Sequence, residues 1–271
     1  MPTTINTNML SLNAQRNLSG SEGVLRSAMQ RLSSGLRVNG AKDDAAGIAI
    51  ASRMDAQARG MAVAIRNAND AVSLVQTAEG ALATIADIFQ RMRELAVQSA
   101  NATNGSGDRT NLNTEFTELS SEVTRIKDAT KFNGTSIIAS GGAGSQAFQV
   151  GADASQTLTV TTVDAATYLA TPGDVTSATN ANTAIGALDT AITSLNTDRA
   201  KYGAALNRLQ FTISNLQNGF ENQTAARARI MDADYAVETA NLTRAQVLQQ
   251  AGTAMLAQAN AAPNMVLSLL K

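Results

Sequence analysis

The sequence predicts a mainly α protein: an elongated rod of long coiled-coil-like helices, with a small β-hairpin region in the middle of the chain. Three observations predict it. Apolar residues recur at helical spacing over two very long stretches. Only three prolines occur, at 2, 172 and 263, so none interrupts 3–171 or 173–262. Aromatic residues make up 3% of the chain, low for a molecule with a compact globular core.

The N-terminal end carries a thin stripe, Leu25, Met29, Leu32 and Leu36. Beyond it, Gly35-Leu36-Arg37-Val38-Asn39-Gly40-Ala41-Lys42 superficially resembles a phosphate loop. It fails that test, because Lys does not directly follow the second Gly and no strand precedes it. It reads instead as a helix interruption and connector. Asp43 and Asp44 suit the N-terminal end of the next helix.

That helix is predicted over 45–100. Steps of four and three residues meet Met61, Ile65, Ala68, Val72, Val75, Glu79, Leu82, Ala86, Phe89, Arg93 and Ala96. A second stripe, Ala81, Ile85, Ile88, Met92 and Leu95, widens the apolar face. Asn101–Gly107 is a break. A further helix follows, with Leu112, Phe116, Leu119, Val123 and Ile126 in step. The middle, roughly 132–175, has clustered glycines, many threonines and the alternation Gln156-Thr157-Leu158-Thr159-Val160-Thr161. It reads as turns and a hairpin or two. From Ile185 to Phe220 the heptad returns, with Arg199 its one charged member. Glu79 and Arg199 are either edge residues of the bundle or a register-setting pair. The C-terminal end is an Ala-rich helix, with Val247, Leu248 and Met255 among its few larger apolar residues.

A compact chain of this length has a radius of gyration of roughly 18 Å. A 45–100 helix alone would be roughly 80 Å long. The chain is therefore expected to run out, turn in its middle and return, with both termini at one end. The terminal helices would bury little in an isolated monomer and be poorly ordered there. They need a partner, and identical copies in a heterologous contact that does not close give a helical filament.

Composition removes several function classes. The 21 Lys plus Arg balance 22 Asp plus Glu for a net charge of −1, so nucleic acid and anionic membrane are not expected partners. There is no Cys, His or Trp. That removes thiol nucleophiles, Ser-His-Asp triads and zinc fingers. The acidic pairs Asp43–Asp44 and Asp232–Asp234 have no catalytic partner type concentrated nearby, so capping or solvated faces explain them better. No enzyme activity, cofactor or metal is expected. No apolar run is read as a transmembrane span. The first residues lack the pattern of a cleavable secretory signal, so export would use another route.

Several motifs, in order, resemble bacterial flagellins. They are Ile5-Asn6-Thr7-Asn8, Ser11–Gln15, Arg31-Leu32-Ser33-Ser34-Gly35-Leu36-Arg37-Val38-Asn39 and Ala41-Lys42-Asp43-Asp44-Ala45-Ala46-Gly47. Lys131-Phe132-Asn133-Gly134, Phe148-Gln149-Val150-Gly151 and the Leu-rich end Val266-Leu267-Ser268-Leu269-Leu270 continue the series. The resemblance implies a structural subunit that polymerises into the flagellar filament for motility. It implies an extracellular location and export in unfolded form through the flagellar type III apparatus.

By that resemblance, 1–44 would be the N-terminal inner helix plus connector. Residues 45–180 would be rod helices and the hairpin region, 181–229 the returning rod helix, and 230–271 the C-terminal inner helix paired with the first. Large outer domains have no room. Self-assembly would use Leu25, Leu32, Leu36, Val247, Leu248 and Met255. The implied partners are further copies, an export chaperone over roughly 230–271, the filament cap and the hook-associated junction proteins. Host Toll-like receptor 5 would contact Arg91, Leu95 and Glu115. The cytosolic inflammasome sensor would read the segment with Val266, Leu267, Leu269 and Leu270. The alternative is a hook–filament junction protein of the same superfamily, which should depart from the connector signature and the Leu-rich tail. An adhesin on the same rod would need a large inserted outer domain.

Overall fold

A computed structural model describes residues 7–139, 144–169 and 173–268. In chain order it has α1 (Met9–Ser34), α2 (Ala45–Ala100) and α3 (Ser106–Ala129). A two-residue ladder of β1 (Lys131–Phe132) and β2 (Thr135–Ser136) follows. A longer antiparallel hairpin pairs β3 (Gly144–Gln149) with β4 (Thr157–Thr162). A single turn, α4 (Ala166–Leu169), then leads to α5 (Ala178–Met231) and α6 (Tyr235–Ser268). The mainly α class with a small central β region is what the chain adopts.

The predicted 45–100 helix coincides with α2, and its ends have local causes. Asp44 accepts the Gly47 N–H at 2.7 Å through Oδ1 and caps the start. Asp43 closes the preceding turn, its Oδ2 accepting N–H groups of Asn39 and Gly40 at 3.0 and 3.1 Å. The acidic pair is thus a capping and turn device. At the far end, Arg109 donates to the Ser99 and Asn101 carbonyls and covers the helix C-terminus.

The chain divides into two compact units, residues 57–221 and residues 1–56 with 222–271. The 57–221 unit holds nearly all the large buried apolar side chains. Leu82, Ile85, Phe89, Met92 and Leu95 from α2 join Phe116 from α3 and Leu188, Leu195, Tyr202 and Leu209 from α5 in one core. The helical stripes of the sequence are these core faces. In β4, Leu158, Val160 and Thr162 face inward while the intervening threonines stay exposed. Tyr202 ties the hairpin's exit to α5 by accepting the Val163 N–H at 3.0 Å, and burial pushes its phenol above the ordinary pKa. The chain entering α5 is pinned at Val175, whose N–H goes to Asn113 at 3.0 Å and whose carbonyl accepts from buried Ser99 at 2.5 Å.

The expectation of no membrane-length apolar stretch needs one correction. One 18-residue window of α2 reaches a mean hydropathy of 1.2, enough by length and composition alone. Its apolar side belongs to the core, where Ala68, Val75, Leu82 and Phe89 are at most 1% exposed. It reads as the core helix of a packed bundle.

Two of the charged members of the apolar stripes meet. Arg199 donates from Nε and Nη2 to one oxygen of Glu79, at 3.1 and 2.8 Å. Both side chains are 36% exposed, so solvent screens the pair. A double-mutant cycle on Arg199→Ala and Glu79→Ala should give a coupling of about 0.5 kcal/mol. Thermal or urea unfolding of the four proteins measures it.

Gly60 marks the closest approach of α2 to the 150–156 turn. A Cβ there would sit 2.8 Å from the Ala152 Cβ and 3.0 Å from its Cα. Gly60→Ala should therefore lift the turn off the helix. It should also break the Asn67 side-chain bond to the Gln149 carbonyl, now 2.9 Å. The helix-propensity gain of ~1 kcal/mol offsets part of the cost. Faster amide exchange confined to β3 and β4 is the expected readout.

Candidate assembly surfaces

The other unit is built on α1 and α6, which pack antiparallel. Asn8 meets Ala259, Ser11 meets Asn260, and Arg31 meets Glu238. The seam between them is made of small and polar residues. Ala28 and Ala245 are buried, and so are Ser11 and Glu238. Gly252 lets the Leu18 side chain approach to 3.2 Å of where a Cβ would stand. Arg31 donates to Glu238 at 3.0 Å. Tyr235 donates its hydroxyl to the Leu32 carbonyl at 3.2 Å.

Two sequence features of this seam have a shared cause. Pro263 has no N–H, so the Ala259 carbonyl loses its helical donor. Asn8 supplies one instead, its Nδ2 donating to that carbonyl at 2.7 Å. The same side chain accepts the Ser11 N–H at 3.1 Å and caps α1. Asn8→Ala removes both bonds and should cost ~1–2 kcal/mol in the stability of this unit. Asn8→Asp keeps the cap and loses the donor, so it should recover only part of that in amide exchange along α1 and α6.

The connector closes the same unit. Gly35 ends α1 with φ at 72°, its N–H bonded to the Arg31 carbonyl at 2.9 Å. Arg37 then caps the end of α5, with its N–H on the Met231 carbonyl at 2.7 Å and its Nη2 on the Ile230 carbonyl at 2.6 Å. Leu36 forms an isolated bridge with Asp232, and the Gly35 carbonyl accepts from Ala233 at 2.9 Å. Asp234 caps α6 through the Ala236 and Val237 N–H groups. Asp43, Asp44 and Asp234 thus act as turn or capping residues.

What this unit leaves outside is its main property. Met9, Leu10, Leu12, Val24, Met29, Val237, Val247, Leu248 and Met255 are between 48% and 66% exposed. A groove of about 900 Å³ runs along α1 and α6, walled by Leu10, Leu18, Val24, Leu248 and Met255. Along α1 and α6 the buried residues are small or polar and these large apolar ones are exposed, whereas the 57–221 unit buries its large apolar side chains. Of the sequence-nominated assembly residues, Val247, Leu248 and Met255 lie on the exposed face, while Leu25, Leu32 and Leu36 are half-buried. Over the described residues the two ends run as the helices α1 and α6, joined by these cross-helix bonds.

A second surface lies in the 57–221 unit. Exposed Arg91 donates to Glu115 from Nε and Nη2 at 3.0 and 2.8 Å and to Glu94 from Nη1 at 3.0 Å. The bond to Glu94, then those to Glu115, raise the Arg91 pKa further. Arg93 bridges from α2 to Asp189 of α5 at 2.6 Å. Leu95 does not share this surface: it is 1% exposed and belongs to the core, being on the inward face of α2. Exposed Val97 would have been the better apolar choice, but only the burial pattern separates the two. In the Leu-rich end, Leu269 and Leu270 lie outside the described residues, and Val266 and Leu267 are described only as helical backbone. Among the described residues, no cluster of three or more acidic side chains could hold a metal ion.

Comparison with known proteins gives the arrangement a family. A profile of the bacterial flagellin N-terminal helical region matches residues 5–143, and one of the C-terminal helical region matches 185–270. A flagellin of Halalkalibacterium halodurans is 47% identical over 272 aligned positions, covering 98% of this chain and 99% of that one. The chain belongs to the bacterial flagellin family. Flagellin A of Vibrio anguillarum is 35% identical over 380 positions, with both chains fully covered. That relative carries roughly a hundred residues that this 271-residue chain lacks. The crystal structure of Bacillus cereus flagellin superposes with a TM-score of 0.52 at 37% identity, covering 56% of this chain and 88% of that one.

Proposed function

We infer that this chain is the structural subunit of a bacterial flagellar filament, assembled by burying the exposed apolar face of α1 and α6 against further copies. The observation that carries the reading is the inversion within the 1–56 and 222–271 unit. Ala28 and Ala245 are buried at the seam while Leu10, Val247, Leu248 and Met255 face outward. Contiguous exposed apolar surface of this kind marks an interaction site. The family assignment says which polymer is formed.

Finer assignments follow from the same reading. Residues 1–44 and 230–271 form the inner layer around the filament channel, while 45–180 and 181–229 form the rod layer. Before assembly, the groove would be covered by an export chaperone binding 230–271. The subunit would travel unfolded through the type III apparatus and add beneath the cap, on a filament joined to the hook by junction proteins. The location is the extracellular flagellum and the task is mechanical. Leu25, Leu32 and Leu36, half-buried in the monomer, would tighten on assembly. The exposed Arg91, Glu94 and Glu115 cluster is a surface that host Toll-like receptor 5 could grip, with a charged Arg as its anchor. Leu95 has no part in it unless α2 rotates. The inflammasome sensor is assigned to the segment from Val266 to Leu270.

The test is seeded polymerisation of purified monomer, followed by sedimentation and negative-stain imaging. Long uniform filaments, with α1 and α6 gaining amide-exchange protection, are expected. Folded monomer that never extends seeds would move the assignment to the junction-protein alternative.

A further inference from the structure

The α1–α6 pair carries the most exposed methionines among the described residues. Met9 is 66% exposed, Met29 57% and Met255 65%, and Met255 also walls the groove. Met92, on the core face of α2, is 0% exposed. Thioether oxidation follows access to solvent. Among the described residues, the methionines most open to an oxidant thus all lie on α1 and α6, the helices whose exposed apolar residues must become dry for assembly, while Met54, Met61 and Met231 are half-buried and Met92 is shielded.

We propose that Met9, Met29 and Met255 form a reversible peroxide-sensitive modification site that blocks assembly of the free subunit. The oxidant is hydrogen peroxide. The thioether sulfur attacks one peroxide oxygen and the O–O bond breaks. A sulfoxide forms and water leaves, the sulfur losing the two electrons that the peroxide gains. The product replaces an apolar, flexible side chain with a polar S=O group. In the monomer that group is solvated and harmless. In the polymer it would be buried without a donor, which is unfavourable. Reduction by a methionine sulfoxide reductase and a thiol removes the oxygen again. Once the face is covered, the sulfurs lose their access, so an assembled filament resists the peroxide that disables its own precursor. This rests on the assembly role of the α1–α6 face.

The experiment treats purified full-length monomer with dilute hydrogen peroxide and removes the excess. Oxygen uptake at each methionine is then mapped by peptide mass spectrometry, and seeded growth is measured. The expected result is oxidation at positions 9, 29 and 255 well before 92, with the far-ultraviolet circular dichroism unchanged. The monomer concentration needed for growth should rise roughly tenfold or more, the scale of one unsatisfied polar group buried per contact. Reductase treatment should restore growth, and filaments oxidised after assembly should persist with those positions unmodified. For the variant carrying Met9→Leu, Met29→Leu and Met255→Leu, peroxide should leave the growth threshold where it stood before treatment, whatever that threshold is. Where leucine itself impairs growth, the reductase rescue of the unsubstituted chain decides.

Oxidation at Met92 as fast as at Met255, unimpaired growth of the oxidised monomer, or no rescue by the reductase would each overturn the proposal. Untreated monomer that fails to extend seeds would instead overturn the assembly reading, and this inference with it.

Discussion

Val247→Asp should abolish seeded filament growth while leaving the monomer as stable as before. Val247 is 59% exposed on α6, so the new carboxylate is solvated in the free subunit. Exposed substitutions of this kind shift stability by about 0.5 kcal/mol or less. The filament presents the opposite environment. If the α1–α6 face is buried there, an unpaired carboxylate enters a dry apolar contact repeated at every subunit. The effective cost of burying an unpaired ion is several kcal/mol, or at least a hundredfold in the monomer concentration that sustains growth. Arg244, three residues earlier on the same helix, is the cation along α6 nearest to it, and an i,i+3 helix pair of this kind returns only about 0.2–0.5 kcal/mol. Sedimentation of seeded reactions across monomer concentration measures the growth threshold, and urea unfolding supplies the stability control. Leu32→Asp should act in the same direction, with a larger effect on the monomer because Leu32 is half-buried. Normal filaments from both variants at ordinary concentration would remove the α1–α6 face from the assembly mechanism.

The parts of this molecule that were legible in the sequence are those governed by period and punctuation. The stripe from Ala68 to Ala96 and the heptad from Ile185 to Ile213 supply core faces of α2 and α5, while Phe220 is exposed. The asparagine- and glycine-rich break at 101–107 separates α2 from α3, and the threonine alternation at 156–161 lies along β4. What was not legible depended on which of two similar residues turns inward. The stripe Leu25, Met29, Leu32 and Leu36 does not show which residue turns inward: Ala28 is buried, the three leucines are half-buried and Met29 is exposed. Hydrophobicity alone ranks those residues the wrong way round, because a close helix pair excludes large side chains from its seam. Leu95 failed differently. A motif places it beside Arg91, but a neighbour four positions along a helix shares a face only approximately, and the core takes it. Proline 263 illustrates a third kind of gap. Its presence inside α6 is understandable only once Asn8, far away in sequence, is seen on the Ala259 carbonyl.

Phe89→Ala should show the reverse pattern, costing ~3–5 kcal/mol of monomer stability while leaving the assembly face intact. Phe89 is 1% exposed, within the cluster that includes Leu82, Ile85 and Met92 from its own helix, Phe116 from α3 and Leu188 from α5. Truncation removes both its transfer free energy and its packing partners. Long helices held by neighbours along their length can close the cavity only partly, so the upper half of that range is expected. Phe211→Ala is the matched control: the same atoms are removed from a side chain 77% exposed on α5, and stability should change by about 0.5 kcal/mol or less. Urea midpoints at constant slope give both numbers. Below its lowered midpoint, the Phe89→Ala subunit should still extend seeds, because none of its exposed residues differs from the parent. Together with Val247→Asp this separates two tasks: a core that keeps the subunit folded, and a face whose apolar residues contribute little until another copy covers them. Loss of seeded growth in Phe89→Ala under conditions where circular dichroism shows it fully folded would mean that the two tasks are coupled through the helices the units share in sequence.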